Sequence, residues 1–149
     1  MGVVLLLVFT FFMGIMLSGI LGVALGFSNG AFLIGTAATG TGAIFFTMAG
    51  IATVTKRDYS FMGKFLFVGL VVLILASIGN IFFQIPAMAL TISVIAVLLF
   101  SMFILYDISR IVNGGETNYI SATLSVYLNV YNIFVNLLHI LMALAGQRD

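Results

Sequence analysis

The hydrophobic positions of this chain fall into five long runs that short polar segments separate. The runs cover about residues 2–25, 31–54, 61–84, 88–112 and 118–145. Each run is close to the roughly 20 apolar residues that an α-helix needs to cross the hydrocarbon core of a bilayer. The pattern therefore predicts an all-α membrane protein, a single domain built as a bundle of about five transmembrane helices.

The last run carries a second pattern, because polar side chains recur along it in steps of three and four residues. That spacing places them on one face of a single α-helix. In lipid, a polar face turns inward, toward other helices or a water-filled cavity. We therefore expect the C-terminal helix to lie at the centre of the bundle. The polar residues are Asn118, Ser121, Ser125, Asn129, Asn132, Asn136 and His139.

Small residues mark the first two runs. Gly14, Ser18, Gly22 and Gly26 lie four apart, a spacing that lets another helix approach closely. The second run contains GTAATGTGA at residues 35–43, but it lacks the GK[ST] that a phosphate-binding loop requires. Both patterns therefore predict tight helix packing.

Composition supports the membrane assignment. The chain has 149 residues, 63% hydrophobic and 6% charged, with a mean hydropathy of +1.33. Soluble domains carry about 25% charged residues. This chain therefore has too few charged residues to form the surface of a water-soluble domain. It has no cysteine, which excludes disulfides and thiolate metal ligands. No basic cluster suited to nucleic acid is present. The lipid bilayer is the partner that composition predicts.

Basic residues predict the orientation of the bundle. Lys56, Arg57, Lys64 and Arg110 lie in or beside the second-to-third and fourth-to-fifth connections, whereas Arg148 lies at the other side. Because cytoplasmic loops are rich in lysine and arginine, loops 55–60 and 113–117 are predicted to be cytoplasmic. The C-terminus is then predicted to lie outside.

Asp107 is the acidic residue of most interest, because it follows the hydrophobic run LLFSMFILY. A carboxylate in lipid is costly unless it is paired, hydrated or protonated, which makes Asp107 a candidate pH-responsive gate. A simpler alternative is a local ion pair with Arg110, three residues later on the same face. The sequence leaves both interpretations open.

The polar face of the last run also has two interpretations. Asn129, Asn132, Asn136 and His139 either form hydrogen bonds between helices or line an ion or water path together with Asp107. A lone histidine seldom forms a metal site, because such a site needs several converging ligands. The sequence therefore predicts no metal and no cofactor.

Motifs for catalysis are absent from the sequence. Ser125 and His139 share the polar face but lie about four helical turns apart, too far for a serine and its base to touch. There is no HExxH motif and no nucleophile elbow. We therefore predict that the protein is not an enzyme.

Three segments together resemble the Bax inhibitor 1 family of multi-pass membrane proteins. They are residues 37–63, which contain the loop TKRDYS, residues 104–120, which contain ILYDISRIVNGGET, and residues 121–141, which contain VYLNVYNIFVNLLHIL. The last two segments are most similar to the bacterial YccA branch. Family members usually have about seven spans, and the five runs here resemble the last five, so two N-terminal helices of the family are expected to be absent.

The resemblance implies two functions. Some relatives resemble pH-sensitive calcium leak channels, in which two aspartates on the last two helices form a latch. Asp107 matches the first aspartate, but Asn129 stands where the second is expected and cannot ionise. YccA-like members instead resemble binding modulators of FtsH, a membrane-anchored ATP-dependent protease of the bacterial inner membrane. The resemblance therefore favours a protease modulator, with a cation leak gated by Asp107 as the alternative.

Overall fold

The computed structural model describes residues 2–27, 29–55, 62–113 and 119–148, and this part of the chain forms five long α-helices. All five are long and apolar enough to cross a membrane. The predicted fold class is therefore confirmed. Most of the two predicted cytoplasmic loops, 56–60 and 114–117, lies outside the described residues. The helices are α1 (Gly2–Leu25), α2 (Gly30–Thr55), α3 (Gly63–Phe83), α4 (Pro86–Val112) and α5 (Tyr119–Arg148).

A tight turn joins α1 to α2 and requires glycine at its end. The backbone N–H of Phe27 donates to the carbonyl of Ala24, and that of Gly30 donates to Phe27. A Cβ on Gly30 would lie 2.2 Å from the carbonyl oxygen of Ala24. Only glycine fits this close approach, so α2 begins directly against the end of α1.

The turn from α3 to α4 is held by a side chain and a proline. Gln84 adopts the left-handed conformation that ends many helices, with φ 52°, and its N–H donates to the carbonyl of Asn80. The Asn80 side chain also accepts the N–H of Ile85 at 3.1 Å. Pro86 then begins α4, where its missing N–H costs no helical hydrogen bond.

The helix α5 lies against three of the other four helices, α1, α2 and α4, as its polar face predicted. The helix α4 shares this central position, because it contacts α2, α3 and α5. In the part of the chain that the structure describes, α3 packs on α4 but not on α5. A gap consequently remains between α3 and α5.

Two apolar clusters hold the bundle. One joins α1, α2 and α5 around Ala24, Ala37 and Leu138. The other joins α3 and α4 around Leu66 and Leu99. Neither cluster contains a residue with an ionisable side chain other than Tyr106, which packs at the edge of the second one.

The predicted ridge of small residues on α1 is not a packing surface within the described residues. A Cβ on Gly14 or Gly22 would meet nothing within 4 Å. The face of α1 that does pack carries Ile20, Leu21 and Ala24, which join the first apolar cluster. The prediction from the four-residue spacing was wrong here, because larger side chains on another face supply the contact area.

Candidate functional site

The candidate site is centred on a hydrogen bond between α4 and α5. The amide Nδ2 of Asn129 donates to the carboxylate Oδ2 of Asp107 over 2.7 Å. Asn129 is only 7% exposed, and Asp107 is half-buried. A short bond from an amide N–H to a carboxylate is charge-assisted, which makes it stronger than a hydrogen bond between two neutral groups. This bond ties the two central helices together.

An amide in this position can serve both protonation states of Asp107. Toward a carboxylate, Asn129 donates from its NH₂ group. Toward a protonated carboxyl, the same side chain can turn about its last bond and accept from its carbonyl oxygen. A pair of carboxylates lacks this freedom, because it must hold one proton to avoid repulsion. The Asp107–Asn129 bond is therefore suited to a fixed closure between α4 and α5.

A polar cavity of about 450 Å³ opens beside this bond, in the gap between α3 and α5. Asp107, Ser125, Asn129 and Asn132 supply the polar part of its lining, and the rest of the lining is apolar. A smaller hollow adjoins it through Asp107 and Ser125 and reaches Arg110. The polar groups thus run from Arg110, near the end of α4, to Asn132, near the middle of α5. The apolar part of the lining consists of Leu70, Ile74, Phe100, Phe103 and Leu128.

Two asparagines of the predicted polar face bond within their own helix. Asn132 Nδ2 donates to the carbonyl of Leu128 at 2.8 Å, and Asn136 Nδ2 donates to the carbonyl of Asn132 at 2.7 Å. Of the three asparagines, Asn129 is the one that the structure shows bonding to another helix. Asn132 still lines the polar cavity, whereas Asn136 does not.

His139 and Ser121 lie at the two ends of the polar face and are both exposed. The structure does not bring His139 to the Asp107 site, since ten residues of helix, about 15 Å, separate it from Asn129. Residues on one face of a helix still lie at different depths in the membrane, so a stripe of this length cannot converge on one site.

Arg110 lies beside the site and packs on an aromatic ring. Its guanidinium carbon is 5.6 Å from the centre of the Tyr106 ring, within the range of a cation–π interaction. A Cβ on Gly63 would meet the Tyr106 hydroxyl oxygen at 2.8 Å, so the start of α3 packs directly against this tyrosine. The ion pair between Asp107 and Arg110 stays a prediction, although both residues line the same small hollow.

The donor set of the site limits what it could hold. Among the described residues, no group of three or more His, Cys, Asp or Glu side chains is placed to bind a metal ion. The polar cavity offers one carboxylate, two amides and one hydroxyl. These groups suit water or a weakly held cation better than a structural metal.

The apolar part of this cavity was not predicted from the sequence. Phe100 and Phe103 lie one helical turn apart on α4, with ring centres 6.0 Å apart, and they line the cavity together with the asparagines. Their spacing of three residues was a visible signal, but it is also typical of ordinary helix packing. The gap between α3 and α5 that makes this part of the lining accessible has no signature in the sequence.

Comparison with known proteins finds a family model that matches nearly the whole chain. Residues 1–147 match the family model described as inhibitor of apoptosis-promoting Bax1. The chain is 44% identical over 146 residues to an uncharacterized protein of Neisseria meningitidis, covering 98% of this chain and 64% of that protein. It is 46% identical over 139 residues to an uncharacterized membrane protein of Vibrio cholerae, covering 91% of this chain and 62% of that protein.

A third relative carries a functional name. The chain is 43% identical over 140 residues to the Escherichia coli protein named modulator of FtsH protease YccA, covering 94% of this chain and 64% of that protein. The same relative in a second E. coli strain is named inner membrane protein YccA. The chain thus spans less than two thirds of the length of these relatives.

Proposed function

The chain belongs to the Bax inhibitor 1 family of multi-pass membrane proteins, and we propose that it is a non-enzymatic modulator that binds a membrane-anchored ATP-dependent protease of the FtsH type. The observation that carries this proposal is the 43% identity to a protein named as such a modulator, over 94% of the chain. The amide at Asn129 agrees with it, because a fixed closure between α4 and α5 suits a binding protein better than a gate.

The proposed location is the bacterial inner membrane, in keeping with the name of a relative. The proposed orientation places loops 55–60 and 113–117 in the cytoplasm and the C-terminus outside. Gly63 at the start of α3 packs on Tyr106 near the end of α4, so Lys64 and Arg110 lie toward the same end of the bundle. That shared end supports a cytoplasmic assignment by the positive-inside rule.

Orientation has a direct test, because the chain has no cysteine of its own. A single Ser60→Cys variant in intact cells should resist a membrane-impermeant thiol reagent and react once the membrane is opened. Labelling of Ser60→Cys in intact cells would reverse the proposed orientation.

Binding to the protease is tested by affinity purification from bacterial membranes solubilised in mild detergent. The tagged chain should recover an FtsH-type protease at a constant ratio, and an unrelated five-helix membrane protein with the same tag serves as the control. In a second arm, added chain should slow the degradation of a membrane substrate by the purified protease. Repeated recovery of no protease, with degradation unchanged, would contradict the proposal.

A cation leak is the second candidate, favoured by the polar cavity of about 450 Å³ around Asp107. Calcium flux into liposomes carrying the purified chain, measured at pH 6 and pH 8, separates the two functions. The modulator proposal predicts no flux above that of empty liposomes at either pH. Flux that changes with pH, and loses that change in Asp107→Asn, would establish the leak instead.

A further inference from the structure

An apolar hollow of about 570 Å³ lies between α1, α2 and α5, on the side of α5 away from the polar cavity. Its volume falls in the range of about 300–1,000 Å³ that is usual for ligand sites. Aromatic and aliphatic side chains of α5 and α2 form most of its wall, and α1 contributes one leucine. The lining includes Leu17, Ala38, Thr41, Gly42, Tyr127 and Tyr131.

The hollow opens to the side of the bundle, and α1 lies against α5 above and below it. Gly2 at the start of α1 lies against Ile120 at the start of α5. Near the other end, Ala24 of α1 packs in one cluster with Leu138 and Met142 of α5. Between these two contacts, Leu17 in the second half of α1 lines the hollow. A transmembrane helix about 10 Å wide needs an open groove along its whole length, whereas this hollow suits a slender, flexible chain.

Three hydroxyl groups are the polar features of the lining. Thr41 already donates its proton to the carbonyl of Ala37 over 2.7 Å. Tyr127 and Tyr131 stack on each other, with ring centres 6.3 Å apart, and neither hydroxyl has a hydrogen-bond partner among the residues that the structure describes. A phenol in an apolar setting gains from a hydrogen-bond acceptor. The occupant should therefore be apolar along most of its length and carry a carbonyl oxygen.

The depth of the tyrosines indicates where that carbonyl lies. The apolar span of α5 runs from Ile120 to Leu144, and Tyr127 is seven residues inside it, about 10 Å from the Ile120 end. Helical side chains lean toward the N-terminus of their helix, which carries the Tyr127 hydroxyl back toward that end. The middle of this span is near residue 132, so the Cα of Tyr127 lies about 8 Å from the centre of the hydrocarbon core and about 7 Å inside its edge. That edge is the level of the ester groups of a phospholipid, and the hydroxyl lies nearer to it than the Cα does.

We propose that this hollow binds one phospholipid of the surrounding bilayer, with an acyl chain lying between α1, α2 and α5 and an ester carbonyl accepting a hydrogen bond from Tyr127. The geometry joins four features: an apolar space that opens to the side of the bundle, free phenol donors, the position of Tyr127 toward one edge of the span and the absence of a side chain at Gly42. The middle of α1 leaves a space between itself and the helices α2 and α5. The lipid fills that space and so completes the contact between the three helices.

Gly42 supplies a steric test of the site. A Cβ at this position would meet nothing within 4 Å, so a larger side chain can enter the hollow without displacing protein atoms. Gly50 lies on the same helix, is equally open and does not line the hollow. Gly42→Leu therefore fills the site, and Gly50→Leu is its matched control. Ala38→Leu, from an exposed position of the lining, is a second filling variant.

The experiment is native mass spectrometry of the full chain, delipidated in detergent and then titrated with palmitoyl-oleoyl-phosphatidylglycerol. Wild type and Gly50→Leu should each retain one phospholipid at low lipid concentration. Gly42→Leu and Ala38→Leu should lose that adduct while keeping their helical circular dichroism. Tyr127→Phe should bind the lipid about fivefold more weakly, the effect of one hydrogen bond.

A second arm adds an isoprenoid benzoquinone, which also combines an apolar chain with carbonyl groups. The proposal predicts that the quinone does not displace the phospholipid at equal concentration. Preferential retention of quinone would overturn the assignment. Retention of one phospholipid by both filling variants, or absence of a specific adduct on wild type, would also overturn it.

Discussion

The two sides of α5 present two cavities of similar size and opposite chemistry. Toward α3 and α4, Asn129 and Asn132 line a polar cavity of about 450 Å³. Toward α1 and α2, the neighbouring residues Val130 and Tyr131 line an apolar hollow of about 570 Å³. Successive residues of a helix point about 100° apart, so a step of one position is enough to change the surroundings.

The difference shows how polar groups are handled at membrane depth in this chain. On the polar side, a charged group is present and a short hydrogen bond from Asn129 holds it. On the apolar side, the polar groups are neutral hydroxyls. Leaving a neutral hydroxyl partly exposed to an apolar environment costs less free energy than leaving a charged group there. We therefore expect the free energy of unfolding to depend strongly on one contact of the polar side and weakly on the contacts of the apolar side.

The largest expected effect is that of Asn129→Leu. This change removes the donor to Asp107 and leaves the carboxylate half-buried without that bond, which should lower the free energy of unfolding by about 2 kcal/mol. The measurement is loss of helical circular dichroism during titration with a denaturing detergent. The double variant Asp107→Leu/Asn129→Leu should recover most of the loss, since the half-buried carboxylate is then removed together with its donor. Equal stability of Asn129→Leu and wild type would contradict the expected difference between the two sides of α5.

The next effect is that of Asn129→Asp, which places a second carboxylate within hydrogen-bond distance of Asp107. Two adjacent carboxylates share one proton at low pH and repel when both ionise, so the melting temperature of this variant should fall as the pH rises from 6 to 8. A fall of about 5 °C corresponds to roughly 1 kcal/mol. Asn129→Gln, which keeps the amide, is the control and should show no such slope. A variant with no pH dependence would mean that the two side chains do not face each other.

On the apolar side, Gly42→Ala should raise stability slightly. The added Cβ meets nothing within 4 Å, and alanine favours a helix over glycine by up to about 1 kcal/mol. By contrast, Gly30→Ala should be poorly tolerated, because its Cβ would collide with the carbonyl of Ala24. The same detergent titration compares the two variants. A loss of stability in Gly42→Ala would show that the hollow is closed in the native protein.

The smallest expected effect is that of Asn132→Leu together with Asn136→Leu. Both amides donate to carbonyls of their own helix, so their removal leaves no buried group without its helical partner. The free energy of unfolding should change by less than about 0.5 kcal/mol. A destabilisation as large as that of Asn129→Leu would instead support the original interpretation that all three asparagines bond between helices.

Much of the fold could be predicted from sequence, because five apolar runs of spanning length leave little choice of architecture. The polar face also located α5 near the centre correctly. The pairing within that face could not be predicted from the spacing of polar residues, although the family resemblance had matched Asp107 and Asn129 to the two positions of a latch. Asn129, Asn132 and Asn136 look alike in sequence, and only the position of α4 decides that Asn129 meets Asp107.

Other features depend on contacts that no periodic pattern records. The separation of His139 from Asn129 follows from their different depths along α5, which a count of three- and four-residue steps does not show. The glycine spacing of α1 predicted close helix packing, but a Cβ built on Gly14 or Gly22 would have no atom of the described residues within 4 Å. The apolar hollow arises from the way in which α1, α2 and α5 pack around Leu17, a property of the assembled bundle.

The central claim is that the Asp107–Asn129 bond closes α4 on α5 in both protonation states of Asp107. Distances between spin labels on Leu98→Cys of α4 and Leu144→Cys of α5 test it directly, since both positions are exposed and the chain has no other cysteine. In lipid nanodiscs, we predict one distance distribution that is the same at pH 6 and pH 8. Two distances whose proportions change with pH would contradict the claim and would make Asp107 a gate.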